Sequence, residues 1–248
     1  MRYQLPLCAV LLLFGLPVWA AKKVDLDYHV TLLPQSDQAE VRVTLEQGSA
    51  VRRLDFDLGD HGYFSDFSAD GQWTTTAPGP NSGSSRGVWK PAAGKASLTY
   101  RVHVSRLAAS PSLGTPRYDS RMTADWALFR GEDLVPRARL DQQEGVRLQA
   151  RLTVDLPTGW KNIETSWPRI GKNRFRIDNV SRLFDRPTGW MLAGNLINRR
   201  ARLGDTEVTV SAPKGQGMRR METLTLMTFV WPKLHAVFPR RSEEHTSE

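Results

Sequence analysis

Residues 146–156 alternate apolar and polar side chains through eleven positions (Val-Arg-Leu-Gln-Ala-Arg-Leu-Thr-Val-Asp-Leu). A period of two sends every second side chain to one face of an extended strand, and no helix reproduces it. The same alternation governs residues 24–32, 39–45, 54–58, 96–104 and 206–210, with a shorter run at 173–177. Residues 63–67 and 88–90 read as further short strands. The polar loop at 34–38 joins the first two runs, which implies an antiparallel pair. Gly59 to Gly62 and Asp70-Gly71 supply turns, and residues 76–87 form a loop rich in Pro, Gly, Ser and Asn. The fold class expected is mainly β: an antiparallel β-sandwich built from many short strands.

Two stretches interrupt the alternation. Residues 105–145 contain Pro111, Gly114 and Pro116, and within them only Trp126-Ala-Leu128-Phe129 reads as firmly buried. Residues 184–194 (Phe-Asp-Arg-Pro-Thr-Gly-Trp-Met-Leu-Ala-Gly) mark the change from strands to a different pattern downstream. Pro187 fixes φ, Gly189 takes a positive-φ position, and Trp190 is expected to staple the turn into the core. Pro157 to Trp160 repeats the Pro-Thr-Gly-Trp words with different flanks, a reused turn rather than a repeat.

Beyond Gly215, Met221, Leu224, Met227, Trp231, Leu234 and Phe238 recur at steps of three and four, the stripe of an amphipathic helix. Pro232 removes a backbone donor and is expected to kink or split that helix. An apolar helix at the end of a β chain needs a surface to pack on, and this reads as the first helix of a second, α-rich domain. Residues 241–248 are polar throughout and match one reading frame of a sequencing-library adapter. The expected division is a signal peptide at 1–20, a β-sandwich at 21–212, the start of a truncated domain at 213–240, and adapter read-through at 241–248.

Arg2, a short apolar run from Leu5 to Pro17, and Val18-Trp19-Ala20 have the order of a secretory signal. The run falls short of the ~20 apolar residues of a spanning helix, so no stable membrane span is expected after cleavage. The chain is therefore expected to be exported, to the periplasm or the extracellular space. Cys8, in that run, is the only cysteine, so the fold must hold without disulfides. The net charge of +8 is scattered along strands with no long basic run, which argues against nucleic-acid binding.

No catalytic constellation emerges. Gly83-Ser84-Ser85-Arg86-Gly87 fits the nucleophile-elbow spelling, but it precedes a strand instead of joining a strand to a helix. His29 and His103 fall on the polar sides of their strands, and His61 and His235 are far from both in sequence. No H-E-x-x-H, the spacing that sets two imidazoles on one zinc, is present. Glu243-Glu244-His245 belongs to the adapter-like tail, and Asn179-Val180-Ser181 is a glycosylation sequon only in a eukaryotic host. Asp55, Asp57 and Asp60 lack the glycine and distal glutamate of a calcium loop and read as solvated. Catalytic, cofactor-binding and metal residues are accordingly assigned as none.

Taken in order, these segments resemble the N-terminal region of the glycyl aminopeptidase family of zinc metallopeptidases (family sixty-one). Tyr28-His-Val-Thr-Leu32 is similar to that family's opening strand, and residues 39–45 to its partner. Leu54-Asp-Phe-Asp-Leu58, residues 63–71, Val88-Trp89-Lys90 and Leu98-Thr-Tyr100-Arg-Val102 resemble the stretch before its middle strands. Ala127-Leu-Phe129-Arg-Gly131 and residues 156–160 continue the order, and residues 218–238 resemble the first helix of the catalytic domain. Typical members carry Trp-x-Pro-Gly after the third strand; Phe56-Asp-Leu-Gly-Asp60 stands here, which implies a divergent branch. The resemblance implies zinc, a catalytic motif beyond Arg240, and a peptide or protein substrate for the whole protein, with no cofactor in these residues.

The function expected is the non-catalytic β-sandwich region of an exported zinc metallopeptidase-like protein of aminopeptidase type, inert alone. The alternative is an independent exported module that binds carbohydrate or protein through Trp73, Trp89, Trp126 and Trp160. A purely structural periplasmic protein is a third. Tryptophans buried between sheets favour the first, and flat exposed aromatics the second.

Overall fold

The computed structural model describes residues 21–59, 61–78, 83–107, 118–178 and 184–237. The expected signal segment, Cys8, Asp60, the sequon at 179–181, Phe238 and the adapter-like tail lie outside the described residues. The first strands are β1 (Lys22–Leu33), β2 (Gln38–Leu45), β3 (Val51–Gly59), β4 (Phe64–Ala69), β5 (Gly71–Thr76), β6 (Ser85–Pro91) and β7 (Ala96–His103). Then come β8 (Arg106–Leu107), β9 (Tyr118–Met122), β10 (Trp126–Arg130), a single helical turn α1 (Gly131–Leu134), β11 (Ala138–Gln142) and β12 (Val146–Asp155). The chain continues through β13 (Asn162–Thr165), β14 (Arg169–Gly171), β15 (Arg174–Ile177), β16 (Trp190–Gly194), β17 (Leu196–Leu203), β18 (Thr206–Pro213) and α2 (Arg220–Val237).

Three sheets carry most of these strands. The largest runs β14-β15-β12-β1-β2-β7-β4; the others run β13-β16-β10-β9-β8 and β11-β3-β6-β5. The hairpin β17-β18 forms a sheet of its own. The architecture is thus mainly β, with layered sheets followed by one long helix, as the alternation implied.

One pairing departs from the antiparallel expectation. β1 lies parallel to β12, with Val24 beside Leu148, Leu26 beside Ala150, Tyr28 beside Leu152 and Val30 beside Val154. All eight are buried, so the two longest alternating strands share one inward phase. Parallel neighbours need a long crossover; here the whole run from β2 to β11 supplies it. β2 and β7 complete the middle of the sheet, with Val41, Val43, Leu98, Tyr100 and Val102 fully buried on the same face.

Against that face pack Leu54, Phe56 and Trp89 of the four-stranded sheet and Phe129, Ile163 and Met191 of the five-stranded one. Each large apolar side chain so enclosed contributes ~1.5–3 kcal/mol relative to exposure. Polar tips inside the core are satisfied: the Tyr100 hydroxyl donates to the Leu134 carbonyl at 2.9 Å, and Trp89 Nε1 to the Asp70 carbonyl at 3.0 Å. Burial pushes the Tyr100 and Tyr28 hydroxyls well above the ordinary tyrosine range, so both remain neutral donors.

The C-terminal helix needs correction. Apolar side chains do not form one stripe: Leu224 is buried and Met227 and Trp231 half-buried, while Met221 and Leu234 of the expected stripe are exposed. Leu226, Phe229 and Val237, off that stripe, are exposed too. The helix runs from Arg220 to Val237 without interruption at Pro232 and packs on β17 and β18, where Leu196, Val210 and Ala212 are buried.

Candidate functional site

The segment at 184–194 is welded to α1. Phe184 is buried edge-on to Tyr28 and to Phe56, at 6.4 and 6.3 Å between centroids. The Tyr28 hydroxyl donates to the Asp185 carbonyl at 2.6 Å. Arg186 donates to the Val135 carbonyl at 2.6 Å, and the Gly189 amide donates to Glu132 Oε2 at 2.7 Å. Gly131 has no room for a side chain: a Cβ there would sit 2.7 Å from the carbonyl carbon of Pro187. Gly189 has φ of 76°, the positive value read from Pro-Thr-Gly.

The staple is Phe184, not Trp190. Trp190 is 49% exposed, because it opens β16 in the phase whose inward residues are Met191 and Ala193. On the outward side it pairs with Arg130, whose guanidinium lies 4.7 Å from the indole centroid. The expectation for Trp126 to Phe129 is corrected in the same way. Ala127 and Phe129 are buried, whereas Leu128 is exposed and Trp126 half-buried on the outer face. Leu128 faces Leu192 across β10 and β16, and Arg121 of β9 reaches toward the rings of Tyr118 and Trp126 at 5.2 and 5.9 Å. The outer face of the five-stranded sheet is therefore an apolar floor of Trp190, Leu128, Leu192 and Trp126 between two arginines. Among the described residues neither Arg121 nor Arg130 has a carboxylate partner within 4 Å. Such a face suits a partner surface that brings apolar side chains and negative charge together.

The tryptophans proposed as stacking platforms sit elsewhere. Trp89 and Trp160 are buried, Trp160 with Nε1 donating to the Ala124 carbonyl. Trp73 stacks on Phe67 at 4.5 Å and covers Gly87, where a Cβ would meet its ring at 2.3 Å. Only Trp126 of the four reaches the outer face. The outward phase of Trp190 is not legible in sequence, because its neighbours Met191, Leu192 and Ala193 include no polar residue from which to read it.

The remaining candidates are structural. Ser85 opens β6, and Ser84 donates to Asp57 Oδ1 at 2.7 Å. That bond, and the Gly59 amide, hold the Asp57 carboxyl below its usual range. Asp55 receives two bonds from Arg86 at 3.0 and 2.7 Å, so it is ion-paired, not simply solvated as expected. His29 contacts Asp155 at 2.6 Å in an exposed pair, and His103 is exposed. His61 stacks edge-on to Tyr63 beside a cleft of ~250 Å³ that Arg106, Glu132 and Arg137 also line. Among the described residues no three His, Cys, Asp or Glu side chains converge as metal ligands, and no helix is long and apolar enough to cross a membrane.

No protein-family model and no curated protein matches this sequence. Solved structures do. An aminopeptidase N family protein from Idiomarina loihiensis superposes with a TM-score of 0.60 at 13% identity, over 86% of this chain and 36% of that one. Yeast LTA4 hydrolase in complex with bestatin gives 0.47 at 14% identity, over 88% and 34%. A mutant M1 zinc metallopeptidase from Deinococcus radiodurans bound to a Tyr-Ser-Ala substrate gives 0.43 at 19%, over 84% and 52%. The likeness to the Idiomarina protein establishes a shared fold, and the other two are too loose to add to it. The chain spans about a third of the length of the Idiomarina structure.

Proposed function

We propose that these residues are the β region of an exported, zinc-dependent protein of aminopeptidase type, and that they supply scaffold and interface while the chemistry lies elsewhere. The observation that carries this reading is the superposition on the aminopeptidase N family protein across most of the described chain. The burial of Trp89 and Trp160 and the internal stacking of Trp73 support it against a sugar-binding platform. Zinc, a peptide substrate and the divergent glycyl aminopeptidase branch rest on the sequence resemblance. The described residues offer no ligand set, so no metal-dependent step is derived for them. In this reading the Trp190 face seats the remainder of the protein, and β17, β18 and α2 open its next unit, which moves the expected boundary from residue 212 to Gly194.

The gene sequence downstream of codon 240 tests the proposal. An H-E-x-x-H within about a hundred residues supports it; an open reading frame of that length without one overturns it. Export is tested separately by N-terminal sequencing of secreted material, which should begin at Ala21.

A second reading is favoured by one observation, the exposure of Trp190 beneath Arg130: a free-standing module that binds an acidic, apolar protein surface. Protection of the Trp190 indole from an aqueous quencher separates the two. In the longer protein the first reading expects protection, and the second expects the indole to stay accessible.

A further inference from the structure

We propose that β5 is a strand-addition edge through which two copies of this chain pair antiparallel. The inference is independent of the peptidase reading and rests on how the other sheet edges are blunted. β8 has two residues and β14 three, and β14 carries Arg169 and a register break. β13 has four residues, and its Ile163 carbonyl is already taken by Arg169 at 2.6 Å. β4 is broken by a bulge between Ser65 and Ser68, with Asp66 at φ of 55°. β11 also breaks register, and Arg52 donates to its Gln142 carbonyl at 3.3 Å. β17 and β18 bear Arg199, Arg200, Arg202 and Glu207. Short length, bulges and charges are the devices by which sheets avoid edge-to-edge pairing.

β5 has none of them. Gly71-Gln-Trp-Thr-Thr-Thr76 contains no charge and no proline, and it pairs with β6 over all six residues without a register shift. Among the described residues no hydrogen bond reaches Gln72 to Thr76 from any element other than β6. Every residue of the strand but Trp73 is exposed. Trp73, stacked on Phe67 and seated over Gly87, holds the strand extended, so little ordering remains to be done on pairing. The occupant follows from self-complementarity. About a two-fold axis at Thr74, Thr74 meets its own copy, Gln72 meets Thr76 and Trp73 meets Thr75. No like charges face each other, although the chain carries a net +8, and paired threonines are favourable cross-strand neighbours. A six-residue strand pair is smaller than a standard interface, so the dimer is expected only at micromolar concentrations and above.

Sedimentation velocity of the full chain between ~5 and ~200 µM at about 0.15 M salt tests this. A monomer–dimer equilibrium is expected, and amide exchange at residues 72–76 should slow as the dimer fills. Thr74→Lys with Thr76→Lys should weaken it at least about tenfold, because the lysine at 74 then faces its own copy across the axis and the one at 76 lies on the diagonal to it. The equally charged control, Gln149→Lys with Thr209→Lys, should leave it unchanged. A monomer throughout the range overturns the proposal, as does a dimer whose residues 72–76 exchange at the monomer rate. Loss of the dimer in Phe229→Asp but not in the β5 variant would assign the contact to α2 and equally overturn it.

Discussion

The three packed sheets and the hairpin with its helix use the same alternating strands, yet they treat apolar side chains differently. In β1, β2, β7 and β12 the inward residues are nearly all excluded from water. Among the described side chains of β17, β18 and α2 only Leu196, Val210, Ala212 and Leu224 are buried, while Met221, Leu226, Phe229, Leu234 and Val237 stand in solvent. A sheet encloses its inner face because a second layer lies on it. A two-stranded ribbon with one helix has a single layer contact, and every other face of the helix stays wet. The difference locates the stability in the sheets, whose exposed apolar side chains are chiefly those of the Trp190 face, and leaves the largest share of exposed apolar surface to the last 40 or so described residues.

Substitutions that remove the same kind of ring from the two regions should break this contrast most visibly. Phe184→Ala is expected to cost about 3–5 kcal/mol and lower the melting temperature by ~10 °C or more, since its ring is enclosed by Tyr28 and Phe56. Phe229→Ala, 69% exposed, should change stability by no more than ~0.5 kcal/mol. Equal effects in thermal melts would show that the helix is part of the main core. Gly131→Ala comes next, at about 1–3 kcal/mol, because the contacting atoms belong to the backbone of Pro187 and Thr188 and cannot rotate away. A neutral result in denaturant titration would mean that α1 and the segment at 184–189 move independently.

Removing residues 196–248 sharpens the comparison further. The sheets should keep their melting temperature within ~3 °C. The loss of Asn198 and Arg200 beside Glu164 is the main interaction given up. A fall of ~10 °C or more would place the hairpin and helix within the cooperative unit of the sandwich.

The smallest effect concerns Asp27 on the outer face of the seven-stranded sheet. Burial raises its carboxyl above the ordinary range, outweighing the lowering by Arg151 at 3.2 Å. With the folded value raised, the favourable contribution of this group is complete below the unfolded pKa and lost as pH rises through the folded one. At pH 7 the carboxylate is therefore a net cost. Asp27→Asn should raise the melting temperature by about 1–2 °C at neutral pH and by nothing near pH 3. A drop at neutral pH would show that the Arg151 contact outweighs the burial.

Where polar and apolar residues alternate, sequence alone determined which side chains are inside. Residues 24–32, 39–45, 96–104 and 146–154 carry their own phase, and the buried set follows it residue by residue. Phase is local, since it depends only on the pleat of one strand. The tertiary structure decided what local pattern cannot encode. Trp126-Ala-Leu-Phe129 and Trp190-Met-Leu-Ala193 contain no polar residue, so either parity was open until Ala127 paired with Ala193 and Phe129 with Met191. Those pairings put Trp190 and Leu128 outside and made Phe184 the anchor. Equally, nothing within β1 or β12 sets their parallel pairing. It arises because two long strands with matching inward rows bury more surface side by side than apart, at the cost of a crossover longer than any sequence window reads.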